Sequence, residues 1–304
     1  AAVGSVGEPY EISWTSKDSL LYAVSLNVSS DQLAYVTENS TGVKQKALPT
    51  MPVVLGSGQG GAASNPMRNV GEFDFAKLVH ASQAITLHQP LPVEGTATVQ
   101  SKLVAMYDKG KAAVVVNESE VKTAAGEPLF TTRSSVFIRG EGGWGGDRGP
   151  SGPQNEPPAR EPDHVASLTT SPDQAFVYRL SGDRNPLHTD PSFAALGGFD
   201  RPILHGLCTY GFTGRMLLKA LCDNDVTRFK HIEGRFSSPV LPGARRMVGR
   251  RCITPKSGTL LTSPGTTCGS STPRRPRSAR CSTWGSTPRH SWSRSAGRWH
   301  ACLV

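Results

Sequence analysis

Long apolar runs are absent from this 304-residue sequence, and none approaches the roughly 18–20 residues that a membrane-spanning helix needs. The first residues, AAVGSVGEPYEISW, also lack the basic and then apolar stretch of a secretory signal. These two absences predict a soluble intracellular protein without a membrane partner. The length is enough for about two domains of ordinary size and for a sizeable core.

Acidic residues are missing from the last part of the chain. Residues 244–304 contain 12 of the 33 Lys and Arg residues and none of the 24 Asp and Glu residues. The first 243 residues therefore carry 21 basic and 24 acidic residues, and the net charge of +9 comes from the tail. A basic isoelectric point of this origin does not predict a nucleic-acid partner for the body of the protein.

Metal and nucleotide motifs are also lacking. Four of the six cysteines lie in the tail, no Cys-x-x-C occurs, and no Cys/His group has zinc-ligand spacing. The glycines from Gly56 to Gly61 satisfy G-x-G-x-x-G, but AASNPMRN follows in place of the long helix that a dinucleotide site requires. The sequence therefore predicts neither a metal site nor a nucleotide cofactor.

Composition divides the chain into four segments. Residues 140–163 are dense in Gly and Pro and predict a linker between a first domain, 1–139, and a second, 164–243. Residues 244–304 form an atypical Arg/Ser/Pro-rich tail. Two interpretations of the tail stay open: a disordered basic segment, or a coding sequence read out of frame.

Helix followed by strands is the pattern of both domains. In the first, Thr15 or Ser16 caps a short apolar stripe, and alternating, β-branched segments follow after Gly71. The second has a capped start at TSPD, a long apolar helix over LHGLCTYGFTGRMLLKAL, and a strand. This order predicts a duplicated α+β unit. An offset of 156 residues aligns YAVSLN with YRLSGD, so that Asn27 stands where the second copy has Asp183.

Acid–base chemistry is concentrated in YRLSGDRNPLHTD, residues 178–190. Asp183 and His188 lie five residues apart, with Gly182 and Pro186 predicting a turn between them. A turn can bring both side chains to one water molecule, and such a pair shuttles protons near neutral pH. Asn185 lies between them and can orient the same water.

Gly206 is predicted to begin the long apolar helix of the second domain. A backbone N–H at the start of a helix points outward and carries the positive end of the helix dipole. Such a group can bind the oxygen of a polarised carbonyl, and Gly lets the substrate approach closely. An acid–base pair with an oxyanion donor suits proton chemistry beside a carbonyl group. From spacing alone, a structural turn with a buried His remains the alternative.

The segments YRLSGDRNPLH and DPSFAALGGFDRPILHGLCTYGF resemble the (R)-specific enoyl-CoA hydratase 2 family of MaoC-like dehydratases. The sequence resembles most of all the hydratase domain of peroxisomal multifunctional enzymes of type 2, over most of residues 9–243. The resemblance implies a tandem, or double, hot-dog fold, in which each antiparallel sheet wraps around a long helix. The sequence departs from the family pattern after residue 243, where the Arg/Ser/Pro-rich tail stands in place of the expected last strands of the second sheet.

The resemblance also implies roles for residues. The first hot dog would be non-catalytic and bind the acyl tail. Asp183 and His188 would activate a water that adds to a trans-2-enoyl-CoA and gives a (3R)-3-hydroxyacyl-CoA, with Asn185 positioning the water and the Gly206 N–H stabilising the thioester oxygen. Either Asp183 or His188 can be the formal base. Three further positions match family positions tied to activity: Tyr178, Arg179 and Glu38.

The implied partner is an acyl-CoA thioester, and no cofactor is expected because coenzyme A is part of the substrate. The implied setting is peroxisomal fatty-acid β-oxidation, although the final residues ACLV are no peroxisomal signal, and the cytoplasm is otherwise expected. A homodimer is compatible with this fold. Two other functions stay open: a dehydratase acting on carrier-bound acyl chains, and a non-catalytic acyl-CoA-binding module.

Overall fold

The computed structural model of the protein describes residues 2–74, 77–150, 164–250, 259–264 and 300–303. Within these ranges, no helix combines the length and the apolar character needed to cross a membrane. Of residues 245–250, 259–264 and 300–303 the structure describes the backbone course.

The first half begins with a strand and a short helix and continues with four strands. Thr15 caps the helix, as predicted: its side chain accepts from the Asp18 N–H, and the Asp18 carboxylate accepts from the Thr15 N–H in a capping box. Alternating burial along the third strand agrees with the predicted one-sided packing. The elements are β1 (Tyr10–Trp14), α1 (Ser16–Val24), β2 (Leu78–Leu87), β3 (Gly95–Asp108), β4 (Ala112–Thr123) and β5 (Pro128–Arg139).

The second half repeats this order and inserts a long helix before its second strand. Its elements are β6 (His164–Thr169), α2 (Gln174–Tyr178), α3 (Pro191–Leu196), α4 (Gly206–Cys222), β7 (His231–Phe236), β8 (Arg245–Arg250), β9 (Thr259–Pro264) and β10 (His300–Leu303). Twelve of the 17 residues of α4 are buried, because this helix is apolar on nearly every face and lies inside the protein.

The ten strands of the described residues form one sheet with the same strand order in each half. The order is β1-β3-β4-β5-β2 in the first half and, from the opposite edge, β6-β8-β9-β10-β7 in the second. Strands β2 and β7 join the halves by antiparallel pairing, with Ile85 opposite Ile232. This symmetry and the central helix confirm the predicted pair of hot dogs.

Contacts between equivalent residues support the 156-residue offset. The rings of Tyr22 and Tyr178 lie 6.3 Å apart, and the Ser181 hydroxyl donates to the Ser25 hydroxyl at 3.4 Å. Both pairs are 156 residues apart in the chain. Residues related by an internal two-fold axis meet in this way when they lie close to the axis.

The two halves differ in the direction of one strand and in the helices of the described residues. Strand β10 runs parallel to β7 and β9, whereas its counterpart β5 is antiparallel to β2 and β4. Strands β8, β9 and β10 also lie in the segment that was expected to replace the last strands of the second sheet. A long helix was expected in each half, but the described residues between α1 and β2 form short 3₁₀ turns: Ser30–Tyr35, Met51–Val53, Ala62–Ser64 and Pro66–Asn69.

The first part of the predicted linker packs on the turn between β3 and β4. The Asp108 carboxylate accepts the N–H groups of Gly110, Gly143 and Gly145 at 2.7–2.8 Å. These bonds, the one from Gly143 first, hold the pKa of Asp108 below its ordinary value. Residues 151–163 of the predicted linker, and most of the 244–304 tail, lie outside the described residues.

Candidate active site

The loop after α2 brings the predicted acid–base residues together. Gly182 adopts a φ of 124°, which favours glycine, and turns the chain toward Asp183. The Asn185 side chain accepts the Leu187 N–H at 3.0 Å and so caps the 3₁₀ turn that ends in His188. The Asn185 N–H in turn donates to the Asp183 carboxylate at 3.3 Å. Asn185 therefore shapes the loop, and its amide oxygen is engaged in the cap.

His188 is buried and has a defined tautomer. Its Nδ1 lies 2.8 Å from the Ile203 carbonyl oxygen, which can only accept, so Nδ1 carries the proton of the neutral ring. The lone pair is then on Nε2. Burial lowers the pKa of His188 below its ordinary value, while the bond to Ile203 and the charge of Asp183 oppose that change. A neutral imidazole with a free lone pair can accept a proton from water.

His205 is a further residue of the site that the sequence reasoning missed. It is fully buried at the N-cap of α4, and its ring stacks on that of His188 with centroids 3.9 Å apart. Its Nε2 lies 3.1 Å from the Asp183 carbonyl oxygen. Burial first, and then the neighbouring His188, lowers the pKa of His205 to about 4. The available signal was its position in PILHG, directly before the predicted oxyanion donor.

Gly206 begins α4, as predicted. The N–H of a first helical residue has no acceptor within the helix and lies at the positive end of the helix dipole. A Cβ at this position would lie 3.3 Å from the Phe236 ring, which is a tight contact. Gly206 thus leaves room for a ligand atom between the start of α4 and the end of β7.

A cavity of about 540 Å³ connects these groups to the first half of the protein. Asp183, Asn185, His188 and Gly206 all line it. Strand β2 contributes a wall of mainly apolar residues and one imidazole, His80, whose pKa burial lowers to about 4. The first half therefore supplies part of the pocket, and the second half supplies the acid–base pair.

The three supporting residues lie away from the cavity wall. Tyr178 is fully buried at the end of α2, with its ring 5.0 Å from that of His205. Arg179 follows it, and its positive charge helps to lower the pKa of His205. Glu38 is exposed and does not line the cavity. The structure thus brings Tyr178 and Arg179 to the back of the site and leaves Glu38 outside it.

Asp183, His188 and His205 have side chains of metal-binding type, with ligand atoms within 4.8 Å of one another. Two of the ring nitrogens already contact backbone carbonyl oxygens. Zinc ligands surround one centre tetrahedrally, whereas two of these three side chains are rings that stack with centroids 3.9 Å apart. The arrangement fits proton transfer better than it fits a metal ion.

Comparison with known proteins gives a consistent result. A family model described as the MaoC like domain matches residues 154–251, and one described as the MFE-2 hydratase 2 N-terminal domain matches residues 12–140. The chain is 43% identical over 246 residues to 3-hydroxyacyl-thioester dehydratase Y of Mycobacterium tuberculosis, covering 80% of this chain and 83% of that protein. It is also 43% identical over 240 residues to a probable enoyl-CoA hydratase 2 of Dictyostelium discoideum, covering 78% and 81%.

Among solved structures, the chain is similar to a MaoC-like dehydratase from Phytophthora capsici. The two share 33% identity with a TM-score of 0.74, over 86% of this chain and 90% of that one.

Proposed function

The chain belongs to the MaoC-like dehydratase and hydratase 2 family of hydro-lyases, and from that premise we propose that it hydrates trans-2-enoyl-CoA to (3R)-3-hydroxyacyl-CoA in fatty-acid β-oxidation. The observation that carries the proposal is the cavity in which a neutral His188, the Asp183 carboxylate and the first N–H of α4 face one space.

Water activation is assigned to Asp183 and His188. The water donates one hydrogen bond to His188 Nε2 and one to the Asp183 carboxylate. Its oxygen forms a bond to C3 as its proton passes to this pair, and a proton is returned to C2. The sum is addition of H and OH across the double bond, which needs no redox partner. Positioning of this kind typically contributes about 10²–10⁴-fold to the rate.

Stabilisation of the intermediate is assigned to Gly206. Addition at C3 moves negative charge onto the thioester oxygen, and a fixed N–H at a helix start stabilises that charge without having to reorient. The position of Gly206 in the cavity lining supports this assignment, and the lack of a side chain there keeps the space between α4 and the Phe236 ring open. Asn185 lines the cavity and holds the loop, and positioning of the attacking water is assigned to it.

A second candidate is the reverse reaction, dehydration of a 3-hydroxyacyl chain, on coenzyme A or on a carrier protein. The similarity to a 3-hydroxyacyl-thioester dehydratase favours it. The same residues serve both directions, because one pair that takes a proton from water must return it in the reverse step. The first half supplies the β2 wall to which we assign the acyl tail.

The test is the loss of enoyl-thioester ultraviolet absorbance with trans-2-enoyl-CoA, followed by chiral analysis of the product. We expect the wild type to form the 3R alcohol and Asp183→Asn to lose about 10²-fold or more in kcat. Asp173→Asn is the matched control, because Asp173 is exposed at the N-cap of α2 and makes no side-chain cap bond there. A folded wild type that binds enoyl-CoA without turnover would overturn the proposal and favour a binding module.

A further inference from the structure

His205 contacts both members of the acid–base pair without touching the cavity. The His205 ring stacks on that of His188, and its Nε2 is 3.1 Å from the Asp183 carbonyl oxygen. His205 does not line the cavity that Asp183, His188 and Gly206 share. The side chain of His205 can therefore act on the reaction through Asp183 and His188, while its backbone leads directly into Gly206. This placement is typical of a residue that positions others.

The contact with Asp183 defines the tautomer of His205. A carbonyl oxygen only accepts hydrogen bonds, so Nε2 carries the proton and Nδ1 carries the lone pair. This Nδ1 is buried, and no hydrogen-bond donor contacts it among the described residues. Leaving such an acceptor without a partner is unfavourable, and the other tautomer would break the bond to Asp183.

In the described part of the chain, the buried hydroxyl groups of Tyr178 and Thr209 also lack a hydrogen-bond partner. Thr209 lies four residues after His205 on the same side of α4, and its N–H donates to the His205 carbonyl oxygen at 3.2 Å. The Tyr178 ring lies 5.0 Å from the His205 ring. Within the described residues, five buried side-chain polar atoms lack a partner, and Tyr178 Oη, His205 Nδ1 and Thr209 Oγ1 are three of them.

We propose that the hydroxyls of Tyr178 and Thr209 are alternative donors to His205 Nδ1, and that His205 is thereby the positioning residue that fixes Asp183 and His188. The proposed bond requires a side-chain rotation that turns one of the two hydroxyls toward the lone pair, since neither makes another hydrogen bond among the described residues. The resulting bond keeps Nε2 protonated, so that it continues to hold the Asp183 loop. This inference rests on the proposed function in one respect, because hydratase activity is one of the two measurements that test it.

Redundancy of the two donors gives a distinctive kinetic signature. Tyr178→Phe and Thr209→Val each leave one donor, so each is expected to lower kcat by about threefold or less. The double variant leaves Nδ1 unpaired, and we expect it to lose about 30-fold, well beyond the product of the two single effects. KM should stay within about twofold in Tyr178→Phe, because Tyr178 does not line the cavity. Thr209 does line it, so the KM of the double variant is compared with that of Thr209→Val.

Thr213→Val is the matched control. Thr213 is a buried threonine one turn further along α4, and its hydroxyl donates within the helix to the Thr209 carbonyl oxygen at 2.9 Å. It contacts neither His205 nor the cavity among the described contacts. We expect its kcat to match that of the wild type, which separates loss of the network from a general effect of removing a helix hydroxyl.

The second measurement is the ¹⁵N spectrum of ring-labelled histidine in the wild type, which needs no variant to fold. It should show His205 with protonated Nε2 and an Nδ1 shifted as a hydrogen-bond acceptor, and both tautomers should appear in the double variant. Protonated Nδ1 in the wild type, or strictly additive effects on kcat, would overturn the proposal. A wild type without hydratase activity overturns the proposed function instead, and the spectrum still decides on the network.

Discussion

Nδ1 of His188 lies 2.8 Å from the Ile203 carbonyl oxygen, and this contact determines which nitrogen of the ring faces the cavity. Ile203 lies in the segment that leads into α4, so the backbone that leads to the proposed oxyanion donor also orients the proposed base. The pair Asp183 and His188 is thus coupled to Gly206 through a short stretch of chain. A displacement of this segment would disturb proton transfer and oxyanion binding together.

The pH dependence of activity follows from the neutral state of His188. Burial lowers the pKa of His188 below its ordinary value of 6.5, so the ring is neutral at pH 7 and gains a proton only in more acidic solution. We expect kcat/KM to be constant from about pH 7 upward and to fall with an apparent pKa below 6.5 as the lone pair on Nε2 is protonated. A profile from pH 4.5 to 8 measures this.

The Asp183→Asn variant supplies the control for that profile. The charge of Asp183 raises the pKa of His188 against the effect of burial. Removing this charge should therefore move the acid limb of the residual activity to lower pH. An acid limb above pH 6.5 in the wild type, or a shift to higher pH in the variant, would contradict the assignment of His188 as the neutral base.

Gly206→Ala should lower the activity of the enzyme without lowering its stability. The added methyl group would lie 3.3 Å from the Phe236 ring and narrow the space at the α4 N–H, so we expect kcat/KM to fall by at least about tenfold. Helix stability should not suffer, since Ala is favoured over Gly in helices by about 1 kcal/mol. Enoyl-CoA hydration and urea denaturation of the same preparation measure the two effects.

Gly211→Ala gives the contrasting result on the same helix. A Cβ there would lie 2.7 Å from a Leu26 methyl group inside the core. We expect a loss of stability by overpacking of about 1–3 kcal/mol, with the active-site end of α4 unchanged. Equal losses of activity in the two variants at matched folding would argue against Gly206 as an oxyanion donor.

Local sequence signals were sufficient to predict the helices and strands whose ends are marked by capping or turn residues. Thr15 caps α1, and the turns that join β3 to β4 and β4 to β5 lie where glycine and charged residues interrupt the apolar alternation. The match between YAVSLN and YRLSGD also located residues that meet in the structure, Ser25 and Ser181. These features depend on short-range chemistry, which a sequence displays directly.

Features that arise from tertiary contacts were not visible in the same way. His205 belongs to the site because its ring stacks on a residue 17 positions away. Its place directly before Gly206 was the available signal, but that place does not indicate the contact with His188. Asp108 was not singled out because its partners are backbone N–H groups of glycines 35 and 37 residues later. The parallel direction of β10 likewise depends on pairing with two distant strands.

Arg215 is predicted to hold the two halves of the protein together. From α4 its guanidinium donates to the Leu26 carbonyl oxygen at 3.0 Å, to the Asn27 carbonyl oxygen at 2.8 Å and to the Gln32 side chain at 3.0 Å. Asn27 has a φ of 57°, so the turn after α1 directs its carbonyl groups at this one side chain. Arg215→Met keeps much of the packing volume but leaves those buried acceptors unpaired.

We expect Arg215→Met to lower the free energy of unfolding by about 2–4 kcal/mol, because buried acceptors of a charged donor lose their bonds together. Arg215→Lys should recover part of the loss, since an ammonium group cannot reproduce the planar fork of three bonds. Arg228→Met is the control: Arg228 pairs with Asp223 on the exposed surface, and its loss should leave the urea midpoint unchanged. Equal midpoints for Arg215→Met and the wild type would show that the contacts between the halves are maintained by the β2–β7 pairing without Arg215.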